Sequence, residues 1–366
     1  MNYPNRPGQP APDRNPSASV DRQREVVGMS DLLYAPCSAR AVLSVRYLKR
    51  ALGAVFCAVS CSVAIAAWGT APASGTTPVR ASTSASVAAK RPALAVNAST
   101  VAAPDAAGVV DPRRALLLRD VFAQDVTRRL KVPAAEQHAY AGRLQTVLSE
   151  HMLGNLSGEY VVVVDRNANV QALLIYFRAT PADSWQMIGA SPVSTGRPGE
   201  YDHFITPLGV FEHTPSNMDF RSEGTLNENR IRGYGKRDMR IFDLGWAQGE
   251  RGWGKGGMSQ MRFQMHATDP DRLEPLLGIR HSKGCVRIPA SLNAFIDHYG
   301  ILDAEYAALV ESGKSLWVLK SDRQVIPWAG RYIVVVDSER KSRPAWSPAP
   351  GSKARAKVPA GADTAD

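Results

Sequence analysis

Cys285 stands in the segment HSKGCVRIPASLNAFI, directly after Gly284 and two residues from both Lys283 and Arg287. A thiol attacks as its thiolate, and neighbouring cations favour that form. Gly284 leaves the backbone before the sulfur open for a tight turn or the close approach of a substrate. Val286 and Ile288 alternate with Arg287, so the cysteine sits where a loop enters structure, and backbone N–H groups at such a junction can face a developing oxyanion. Acyl transfer also needs a base within about 3 Å of the sulfur. The candidates are His138, His151, His203, His213, His266, His281 and His298. His266 ends the strand-like run MRFQM and precedes ATDPD, so its ring emerges at a strand end beside a loop. His281 is close to Cys285 in the chain, and His298 lies at the end of a short helix. The plainer reading is a buried thiol beside a surface imidazole. Zinc on Cys285 and two histidines would lack the usual short ligand pairs and meet repulsion from Lys283 and Arg287. No metal and no cofactor is therefore expected.

The elements that must position these residues change period along the chain. Leu116, Leu117, Val121, Val126 and Leu130 recur near a helical spacing, and a second helix is predicted from Ala134 to Met152, stopped by Gly154. YVVVVD (160–165) and VQALLIYF (170–177), joined by a polar turn, predict a hairpin. WQMIGASPVSTG and TPLGVFEH add strands with Gly and Pro punctuation, and MRIFDLGW (239–246) and MRFQMHA (261–267) two more. Short helices follow over Pro289–Tyr299, stopped by Gly300, and over Asp303–Glu311, then the strands LWVLK (316–320) and YIVVVD (332–337). Segments 216–237 and 248–260 read as loops, the latter glycine-rich with Trp253 and charge enough to touch a substrate. Many short strands with only short helices predict a mostly β domain, a sandwich or barrel-like mixed sheet with short helices, preceded by a short helical segment. No GxxxxGK[ST] run is present and strands do not alternate regularly with long helices, which argues against a dinucleotide fold.

Arg46, Lys49 and Arg50 precede the uncharged run ALGAVFCAVSCSVAIAAW (51–68), followed by GTAPASGTT. A basic region, an apolar run and a small-residue exit predict a secretion signal or, if it is retained, a single membrane anchor. Either way the following residues lie outside the cytoplasm. Of the four cysteines, Cys37 precedes the run and Cys57 and Cys61 lie in it, so Cys285 alone is exported and no disulfide can form within that part. The net charge of +10 suits an anionic polymer. With no zinc-finger cysteines and no basic run interleaved with aromatics, nucleic acid is not the expected partner.

His266, then fifteen intervening residues, then Ser282, Lys283, Gly284, Cys285, Val286 and Arg287, together resemble the signature of the L,D-transpeptidases with a YkuD-type catalytic domain. PVSTGRPG and ITPLGVF are similar to that family's Ser-Thr-Gly and Thr-Pro-x-Gly segments, and the resemblance runs from about Tyr160 to Lys320. It implies a peptidoglycan cross-linking enzyme of the periplasm or cell envelope. Cys285 would attack a tetrapeptide stem, release D-alanine and form a thioester. His266 would then deprotonate the amine of a second stem to give a 3–3 cross-link. The backbone N–H groups of Gly284 and Cys285 would hold the oxyanion, with Ser282 and Arg287 bracing the loop.

Lys283 departs from the pattern, since the family usually has His there. Lysine donates hydrogen bonds and stabilises negative charge but does not accept a proton while charged, and His281 is the residue placed to fill the vacated role. With water as acceptor the same acyl-enzyme would be an L,D-carboxypeptidase; with an envelope-protein lysine it would attach or detach that protein. A non-catalytic wall-binding module is the reading from another class. The expected organisation is an n-region or added upstream start over 1–45, the signal or anchor over 46–69, and a low-complexity linker over 70–108. A helical segment follows over 109–155, the catalytic domain over 158–322, a C-terminal strand extension over 323–340 and a disordered tail over 341–366.

Overall fold

The computed structural model describes residues 98–357, all within a unit that spans Ser86–Asp366. The n-region, the apolar run 51–68, the linker up to residue 97 and the last nine residues of the tail lie outside the described residues. Among the described residues no helix is long and apolar enough to cross a membrane.

After the short α1 (Ala98–Val101) and a 3-10 turn, α2 (Leu118–Asp125) and α3 (Ala134–Glu150) lead into the strands. These are β1 (Tyr160–Asp165), β2 (Ala172–Phe177), β3 (Gln186–Pro192), β4 (Phe204–Ile205), β5 (Gly209–Glu212), β6 (Phe220–Arg221), β7 (Arg240–Arg251) and β8 (Met258–Ala267). Then come β9 (Val286–Ile288), α4 (Ala290–Tyr299), α5 (Ala304–Glu311), β10 (Tyr332–Val336) and α6 (Ser352–Arg355). One five-stranded sheet has the order β3-β2-β1-β10-β5, and the other runs β4-β7-β8-β9 with β6 also paired to β7.

The closed, barrel-like sheet expected from the sequence is not what forms. Each sheet is open and ends in two different edge strands. The long apolar runs that suggest a barrel wall have another cause: the first sheet is covered on both faces, so its strands are apolar throughout rather than alternating. Val162, Val164, Leu173 and Ile175 share one hydrophobic cluster with Phe242, Phe263, Met265 and Val286 of the second sheet. Val161, Val163, Leu174 and Tyr176 pack on the other side with Tyr140, Leu144 and Leu148 of α3. Both faces are thus dry without closure.

The hairpin expected at 160–177 forms as β1 and β2, antiparallel from Tyr160↔Phe177 to Asp165↔Ala172. The strand expected to extend the domain at its end is instead internal: β10 lies between β1 and β5 and runs parallel to β1. LWVLK is not a strand. The Val318 carbonyl accepts from Arg221 Nε at 2.9 Å, and Leu319 N–H closes a turn on Leu316 O. Segment 248–260 is mostly ladder rather than loop, with Glu250 opposite Met258 across the β7–β8 hairpin. Nor is the start of the tail a spacer, because Trp346 is buried and packs edge-on to Tyr140 at 6.0 Å. α4 begins after Pro289 and ends at Gly300 in the left-handed conformation (φ 63°), as its sequence predicts.

Behind the second sheet lies a buried charged network that periodicity does not reveal. Asp219 accepts from His213 Nε2 at 2.9 Å, Arg240 Nε at 2.6 Å and Asp243 N–H at 2.9 Å. Arg240 also binds Asp303 and Asp297 at 3.0 and 3.4 Å. Burial alone would raise the Asp219 carboxyl, but His213, Arg240 and the Asp243 N–H outweigh it and hold it below the ordinary carboxylate range. This network anchors the start of β7, the strand beside β8.

Candidate active site

β8 alternates. Met261, Phe263 and Met265 enter the core cluster, so Arg262, Gln264 and His266 project from the opposite face. β9 runs parallel to β8 with Met265↔Val286 and His266↔Arg287 in register. Val286 and Ile288 also face the core, which turns Cys285 and Arg287 to the same outer face as His266. Continuing the register by one residue sets Cys285 across from Gln264. His266 and Arg262 are then its two diagonal neighbours, a relation in which Cα atoms stand about 7–8 Å apart and long or aromatic side chains can meet. Cys285 Sγ lies 3.8 Å from the Arg262 carbonyl.

His266 Nδ1 lies 2.8 Å from the Ala267 carbonyl. A carbonyl only accepts, so Nδ1 carries a proton; in the neutral ring Nε2 then holds the lone pair, the form a general base requires. The Tyr234 ring rests on the imidazole with centroids 4.6 Å apart. His266 is fully buried, while Cys285 keeps 8% of its surface and Trp246, on the same face, 66%. Access to the face therefore opens from the Arg262 and Trp246 side.

The loop bearing the cysteine is fixed by three neighbours. Ser282 Oγ donates to Cys285 O at 2.7 Å and accepts from Gly284 N–H at 3.2 Å. That contact engages the Gly284 amide within the loop. Its φ of +142° is a conformation other residues rarely adopt, and a Cβ there would stand 2.7 Å from Met261 Cε. Thr206 Oγ1 donates to Gly284 O at 2.6 Å and accepts from Gly196 N–H at 2.9 Å. Through these bonds the TPLG and STG segments meet at the cysteine loop, and Ser194 bridges Arg287. Arg287, buried, donates from Nη1 to His281 O at 2.6 Å and passes 3.4 Å from His281 Nδ1. Lys283 Nζ reaches Asp202 at 3.4 Å.

The other histidines stand elsewhere. His213 is bound into the Asp219 network, His203 is buried with Nδ1 3.0 Å from Tyr201 O, and His298 packs against Tyr299. His138 and His151 lie on the surface. Among the described residues no group of three His, Cys, Asp or Glu side chains is arranged as a metal site.

Sequence reasoning misses Asp243, Arg262, Gln264, Tyr234 and Trp246. Asp243 accepts from Arg262 Nε, Gln264 Nε2 and Gly245 N–H at 3.0, 3.0 and 2.8 Å. A register shift between Asp243 and Trp246, with Gly245 at φ +81°, turns Trp246 onto the outer face opposite Arg262. The alternation within MRFQMHA was the signal for Arg262 and Gln264; nothing local marks the rest.

No family model matches the sequence, and no curated protein matches it. Among solved structures the chain is similar to the crystal structure of a fused Zn-dependent amidase/peptidase/peptidoglycan-binding domain-containing protein from Clostridium acetobutylicum ATCC 824. That likeness has a TM-score of 0.23 and 9% identity, over 58% of this chain and 66% of that one, just under two thirds of its length. At that level it carries no argument about fold or activity.

Proposed function

We propose that the protein is a cysteine acyltransferase of the bacterial envelope, an L,D-transpeptidase that acts on peptidoglycan tetrapeptide stems. The observation that carries this reading is the β8–β9 register, which pairs Arg287 with His266, together with Cys285, the residue before β9, whose Sγ lies 3.8 Å from the Arg262 carbonyl on the same strand as the base-competent His266. Nε2 takes the thiol proton as Sγ attacks the carbonyl before the terminal D-alanine. The C–N bond breaks, the amine leaves with that proton, and a thioester remains on Cys285. The neutral imidazole then accepts a proton from the amine of a second stem, which takes the acyl group and frees the thiol. The resemblance around HSKGCVR supplies the substrate class. The partners are donor and acceptor stems, or an envelope-protein lysine as acceptor.

The test is incubation of the purified protein with disaccharide-tetrapeptide, followed by intact-mass and product analysis. The expected result is an acyl-enzyme adduct, free D-alanine and a cross-linked dimer, all absent in Cys285→Ala, with acylation lost in His266→Gln. Tripeptide without dimer would mean that water is the acceptor. If neither adduct nor D-alanine release is seen with the wild type, the reading is wrong.

A further inference from the structure

Arg262 stands on β8 beside the nucleophile, on the side of the exposed Trp246. Its carbonyl is 3.8 Å from Cys285 Sγ, and its side chain leaves β8 on the face shared by Cys285, on the flank away from His266. The guanidinium is held in one orientation by two contacts. Nε donates to Asp243 at 3.0 Å, and the planar group stands over the Trp246 ring, 5.7 Å from its centroid. Asp243 is itself braced by Gln264 and by Gly245 N–H. With Nε engaged, neither terminal nitrogen of Arg262 makes a hydrogen bond among the described residues, and the side chain keeps 35% of its surface. A guanidinium braced at Nε, with its terminal pair turned to solvent, is the arrangement that grips a carboxylate.

We propose that Arg262 is a substrate-binding residue that holds the C-terminal carboxylate of the acyl donor and so confines attack to the penultimate residue of a peptide chain. The inference rests on the acyl-transfer reading above. One residue spans about 3.8 Å between Cα atoms, so a carboxylate one residue past the scissile carbonyl falls beside the sulfur, within the reach of a diagonal neighbour. A carboxylate farther along the stem, on a side chain, would offer the same chemistry from another place. The terminal one is favoured because Arg262 flanks Cys285 directly.

Acylation rates of wild type, Arg262→Gln and Arg262→Lys are compared on three tetrapeptide stems: free acid, C-terminal amide, and free acid with its internal side-chain carboxylate amidated. The wild type should acylate on the free acid at least tenfold faster than on the terminal amide, the scale of a lost charge-assisted contact. The side-chain amide should react within about twofold of the free acid. Arg262→Gln should bring the acid-over-amide ratio close to one, whatever it does to either rate alone, and Arg262→Lys should restore part of that ratio. Because the preference is a ratio on one preparation, partial unfolding cancels. A preference that survives Arg262→Gln, an absent preference in the wild type, or a loss on amidation of the side chain alone would each overturn the assignment. Absence of thioester in the wild type on all three stems would instead refute the acyl-transfer reading beneath it.

Discussion

Asp219→Asn tests the charged network that fixes β7 behind the site. The substitution keeps the shape of the side chain but removes the charge and points an amide donor at a cluster of N–H donors: His213 Nε2 at 2.9 Å, Arg240 Nε at 2.6 Å and Asp243 N–H at 2.9 Å. Asp219 is 1% exposed, so water cannot replace what is lost. Breaking one member of a buried ionic set costs about 3–5 kcal/mol, a large share of the roughly 5–15 kcal/mol that holds a domain folded. With a urea slope of about 2 kcal/mol/M, the midpoint at pH 7 should fall by about 2 M. The pH dependence gives a second readout. The folded carboxyl is depressed below its unfolded value of about 3.9, so on acidification the unfolded chain takes up the proton first. The stabilisation is whole above about pH 4 and is lost as pH falls through the folded value. The gap between wild type and variant should therefore be constant from pH 7 to about pH 5 and narrow below about pH 4. A gap under 1 kcal/mol at pH 7, or one unchanged down to pH 2, would refute the reasoning.

Two further substitutions probe separate links. Gly284→Ala forces a side chain into φ +142° with its Cβ 2.7 Å from Met261 Cε; it should cost about 1–3 kcal/mol and slow alkylation of Cys285 by iodoacetamide several-fold, and wild-type labelling with wild-type stability would remove the strained turn from the account. Trp346→Ala should lower stability by about 3 kcal/mol in urea titration, since the ring is buried against Tyr140; a loss below 1 kcal/mol would mean that the segment after Pro344 is a spacer.

What the residues alone determined is local. The alternation in MRFQMHA decided that Arg262, Gln264 and His266 share a face, because a strand's period of two is set by the backbone. The glycine before Cys285 marked a turn that only glycine enters easily, and Pro289 and Gly300 bounded α4 for the same kind of reason. YVVVVD and VQALLIYF paired as expected because a short polar turn leaves two adjacent strands little choice. The tertiary structure decided which strands are neighbours. The register of β9 on β8, which pairs Arg287 with His266 and brings the cysteine loop beside β8, joins segments separated by a long connection, and no local preference encodes it. The same holds for β10, inserted between β1 and β5, and for Trp346, whose burial depends on Tyr140 of α3. Apolar strands buried on both faces look alike whether a sheet closes or is covered, so openness had to come from packing. The Asp219 network and the shift that turns Trp246 outward rest on charges and backbone groups brought together from distant segments. Polar side chains have no periodicity to announce such meetings; only the folded chain, by excluding water from them, makes their pairing compulsory.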